Sequence, residues 1–79
     1  MEAAVKEQVK KMVGEAIKLY YDVEYLWTIE DFKDLYGEEL SVISEIASDL
    51  QHRLKPLLGY VEAEDMAKKL IETGDVKQY

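Results

Sequence analysis

Along the first third of the chain, Val5, Val9, Met12, Ala16, Leu19, Val23 and Leu26 follow one another at spacings of 4, 3, 4, 3, 4 and 3. In a helix such spacings draw one apolar stripe, so they predict a long helix over residues 3–27. Val13, Ile17, Tyr20 and Trp27 form a second stripe beside it, and the apolar face becomes wider than a two-stranded seam needs. Such a helix touches more than one neighbour. Glu7 to Lys11 and Lys18 to Asp22 stand four residues apart on the polar side. Gly14, inside the pattern, costs about 1 kcal/mol against Ala.

Thr28 has the side chain of an N-cap, accepting from the backbone of Asp31, with Glu30 and Asp31 in a first turn whose dipole favours negative charge. A short helix over 29–36 is expected, ended by Gly37 in a left-handed conformation or a turn. A second long pattern then runs Leu40, Ile43, Ala47, Leu50, Leu54, Leu57, again at spacings of 3 and 4. Val42 and Ile46 broaden it. Pro56 removes the bond to the carbonyl of His52, which places the end of this helix, over 38–55, or a kink near Leu54. A last helix is expected over 62–73, with Ala63, Met66, Ala67, Leu70 and Ile71 on its buried face and Gly74 just past its end. The tail 75–79 is expected to fray. The pattern predicts an all-α fold: one domain over 1–79, a small helical bundle of two long antiparallel helices, a short connector helix and a C-terminal helix.

Composition narrows what holds such a bundle together. A chain of 79 residues buries a limited share of its surface. Cys is absent and His52 is the one histidine, which removes disulfides and a His-based structural zinc site as supports. Oligomerisation gains weight by elimination. Asn is absent too, while Glu, Lys and Tyr are abundant, a thermophile-like bias. No apolar run approaches the roughly 18 residues of a membrane span, and residues 1–6 do not read as a signal peptide, so a cytoplasmic location is the expectation.

The net charge of −7 is unevenly placed. Residues 28–49 hold Lys33 against seven acids, a net −6, while residues 50–79 balance five basic against five acidic residues. The acidity therefore gathers in the middle of the chain.

Candidate chemistry is sparse. Glu45, Asp49 and His52 lie on neighbouring turns of one helix, a spacing that in helical bundles can serve a metal, but all three fall outside the Leu40 to Leu57 seam and read better as a solvated face. Without Cys, and with His52 apart from any nucleophile, no catalytic device has candidates, and Gly14, Gly37, Gly59 and Gly74 are isolated from one another. No enzyme, cofactor or metal is expected. Residues 40–76 also suggest a helix-turn-helix nucleic-acid binder, with Ile43–Leu50 as supporting helix and Ala67–Val76 closing the recognition helix. Against it stand the long connection expected over 51–61, no segment for a two-stranded wing, and a negative charge that neutralises phosphates poorly.

The reading that fits best is a non-catalytic protein-interaction module, a small acidic homodimerising adaptor or regulator. Two surfaces are expected to carry it. Glu30, Asp31, Asp34, Glu38 and Glu39, interleaved with Phe32, Leu35 and Tyr36, would steer a basic protein partner. Val13, Ile17, Tyr20, Tyr21 and Trp27 would form the dimer interface, on the argument that a C-terminal helix of about 12 residues is too short to cover them. Tyr21 and Tyr25 would add an exposed aromatic patch.

Overall fold

The computed structural model describes residues 2–76, which form three helices: α1 (Ala3–Trp27), α2 (Glu30–Leu58) and α3 (Tyr60–Glu72). α1 runs over the residues its periodicity predicts. It ends on Thr28, which acts as a C-cap and not as the N-cap of the next helix. Its hydroxyl donates back to the carbonyl of Tyr25 at 2.6 Å. Its amide donates to the same carbonyl, and that of Ile29 to Leu26, so bonds three residues back close the last turn. Ile29, extended at φ −91° and ψ 101°, caps α2 through its backbone alone.

The connector helix and the second long helix abut within α2 and are separated by a kink at the expected joint, with no turn between them. α2 continues through Gly37 and bends at Tyr36, whose φ of −127° and ψ of 23° lie outside helical values. Gly37 does not adopt a positive φ, so nothing there forces a stop. α2 also passes through Pro56 to Leu58. The ring removes a donor to His52, but His52 is exposed and the helix is within a turn of its end, where carbonyls are free to turn to solvent. The connection expected over 51–61 thus shrinks to Gly59. Its φ of 106° is a conformation that glycine alone adopts freely, and it reverses the chain into α3.

α1 and α2 lie antiparallel as a hairpin, and α3 folds back on one side of it. Val9, Val13 and Ile17 of α1, Leu58 of α2 and Ala63 of α3 form the buried cluster, with Tyr21, Leu54, Met66, Ala67 and Leu70 packed around it. Between α1 and α2, Ala16, Val23, Leu40 and Ala47 are buried as well. Lys6 Nζ meets Glu62 Oε1 at 3.0 Å and ties the start of α1 to α3. Among the intrahelical pairs, Glu7 meets Lys10 and not Lys11.

Gly74 stands past the end of α3 at φ 79°, as expected. Asp75 and Val76 do not fray. Val76 donates to the carbonyl of Leu70 at 3.1 Å and is buried, while residues 77–79 of the expected tail lie outside the described residues.

Candidate functional site

Each long helix carries a seam of alternating spacings, and each seam splits into two columns. On α1, Val9, Ala16 and Val23 are buried in the hairpin, while Val5, Met12 and Leu19 are exposed at 50, 42 and 36%. On α2, Leu40 and Ala47 are buried, whereas Ile43, Leu50 and Leu57 are exposed, with Ile46 and Val42 beside them. The outward columns repeat every seven residues on both helices and therefore run straight along the hairpin. They share a face. Met12, Glu15, Ala16 and Leu19 of α1 line one groove with Leu50 and Leu54 of α2.

This face is not the one expected. Val13 and Ile17 are buried at 0 and 2% in the cluster under α3, and Tyr21 packs against that cluster. Although α3 has only 13 residues, it covers that stripe, because Ala63 and Ala67 allow close approach and Met66 lies over Gly14. Tyr20 sits elsewhere, half-buried beside Ser48, Gln51, His52 and Lys55, and Trp27 lies at the hairpin tip, with Lys33 Nζ 5.6 Å from the centre of its ring. The five residues expected at a dimer interface thus do not form one patch. Nor do Tyr21 and Tyr25, since only Tyr25 is exposed. What the periodicity offered, and the expectation overlooked, was the strict seven-residue recurrence of Val5, Met12 and Leu19 and of Ile43, Leu50 and Leu57.

At the tip, Glu30, Asp31, Asp34, Glu38 and Glu39 are all exposed, and no described cation pairs with any of them. They flank in sequence Leu35, 73% exposed, and Tyr36, 48% exposed, while the Phe32 ring lies against that of Tyr36 at a tilt of 46°, with ring centres 4.9 Å apart. The result is an acidic surface with an apolar centre.

Glu45, Asp49 and His52 share a shallow depression with Tyr20, Ser44 and Ser48. Asp49 accepts from Arg53 Nε at 2.9 Å, and among the described residues no three acidic or imidazole groups converge as metal ligands. The Tyr20 hydroxyl is held above its ordinary value, chiefly by its hydrogen bond to Glu24 and then by that carboxylate's charge, with smaller contributions from burial and Tyr21. It stays protonated, as a donor. None of the helices is long and apolar enough to cross a membrane.

The chain matches no protein-family model, no curated protein and no solved structure. Its surfaces are therefore the basis for a functional reading.

Proposed function

We propose that this chain is a non-catalytic protein-interaction module that works as a small acidic homodimer and presents its acidic tip to a basic protein partner. The observation that carries this reading is the apolar surface left open. Among the described residues ten apolar side chains are buried, seven of them Ala or Val, whereas fifteen, twelve of them larger than Val, are exposed by a third or more. Scattered exposed apolar residues are ordinary, but columns that run along half or more of two neighbouring helices are not. Covering them with protein favours association by the same effect that drives folding.

The acidic tip suits a partner whose basic residues are attracted at long range and whose apolar residues meet Leu35 and Tyr36. A helix-turn-helix role has less support. The outward residues of α3 are Glu62, Glu64, Asp65 and Glu72 against Lys68 and Lys69, and a recognition helix so charged is repelled by phosphates. Light scattering coupled to size exclusion tests the reading, with a mass of twice 9.2 kDa expected. A monomer at every concentration from about 1 to 100 μM, the range of ordinary weak association, would overturn it.

A further inference from the structure

We infer that the occupant of the open α1–α2 face is the same face of a second copy, so that two hairpins pack into a four-helix core with each α3 on the outside. This inference rests on the homodimer reading above and assigns its interface.

The first argument is area. The chain exposes 5757 Å², whereas a compact monomer of 9.2 kDa exposes about 4,900 Å². The chain thus has surface to spare, and a standard stable interface takes about 800 Å² from each partner. Shape agrees with area. The radius of gyration is 13.8 Å, against about 12 Å for a compact chain of 79 residues, and the extents of 45 × 24 × 18 Å describe a slab. Two slabs joined on their broad faces make a rounder body.

The second argument is self-complementarity. A two-fold axis sets a surface against its own copy, so the surface must suit itself in shape and charge. Paired seven-residue columns on antiparallel helices meet that condition, because helices at about 20° interdigitate such columns in four-helix bundles. Charge agrees too. A chain of net −7 meets its copy most easily where its acids are few, and of the six residues lining the groove only Glu15 is charged. The acidic tip, by contrast, repels its own copy and suits a partner of opposite charge. α3 already occupies the other side of the hairpin, so the seam is completed on this side alone.

Glu15 supplies a test that misfolding cannot imitate. A carboxylate beside an apolar interface loses solvent when the interface forms, so Glu15→Leu should tighten dimerisation, by tenfold or so, if the second copy covers the groove. Leu19→Glu and Leu50→Glu should weaken it by at least about tenfold while the far-ultraviolet dichroism stays helical. Val61→Glu, on α3 and 75% exposed, should change nothing. Sedimentation equilibrium on the full chain and these variants measures all four. A dimer that survives both glutamate variants and ignores Glu15→Leu overturns the assigned face and leaves the homodimer reading standing. If a glutamate variant unfolds, Glu15→Leu decides, and no tightening there counts against the face. A wild-type chain that stays monomeric defeats both.

Discussion

The sulfur of Met66 lies 3.7 Å from the point where a Cβ on Gly14 would stand, an ordinary contact distance. Met66 thus rests on the one stretch of α1 that has no side chain, and the gap still has room for a methyl group. Gly14→Ala should therefore stabilise the chain by about 0.5 to 1 kcal/mol, because the helix gains propensity and no neighbour must move. A higher midpoint in urea unfolding at unchanged slope checks it.

Ile17 and Leu19 are two residues apart but face different ways, Ile17 buried within the chain and Leu19 exposed. Ile17→Ala empties a site that is 2% exposed within the chain and should cost about 2 to 5 kcal/mol of folding stability. Leu19→Ala, in a chain diluted to monomer, should cost far less. Urea melts at low concentration separate them, and equal losses would mean that the faces have been misassigned.

Salt should act on the dimer in an unusual direction. Each chain carries −7, so bringing two together is opposed by like charge, and screening relieves that opposition. Raising sodium chloride from about 0.05 to 0.5 M should lower the dissociation constant. Binding of a basic partner at the tip should weaken over the same range, and Lys at Glu30, Asp34 and Glu38 should slow its association. Titrations of both equilibria against salt should give opposite slopes.

Alkaline pH should loosen the fold through Tyr20. Its hydroxyl ionises later in the folded chain than in the unfolded one, because Glu24 accepts its proton in a hydrogen bond. The stabilisation is complete below the unfolded value of about 10 and is lost as pH rises through the folded value. Tyr20→Phe should flatten that decline. Thermal melts of both proteins from pH 8 to about 11 measure the difference.

The helices were legible because their patterns are long. Twenty-five residues of sustained spacing left no doubt over α1, and the limits agree. The joints were less legible. Thr28 serves either end of a helix, and its hydroxyl turned back to Tyr25, while the break expected at Tyr36 and Gly37 is a kink with no intervening turn. Harder still was which stripe α3 would take, since both stripes of α1 are apolar and similarly wide. That choice turned on close approach, which Ala63 and Ala67 of α3 offer with their small side chains.

Gly59 has a kinetic meaning as well. α3 hangs on a single residue whose dihedrals only glycine takes without strain, and its grip on the rest is the small cluster around Ala63, Met66 and one exposed ion pair. Such a unit opens by itself, ahead of the hairpin, along a path with few bonds to break. Its backbone amides should exchange with heavy water sooner than those of mid-α1. Each such opening would bare Val13 and Ile17, so the largest fully buried side chains among the described residues are guarded by the element expected to leave first.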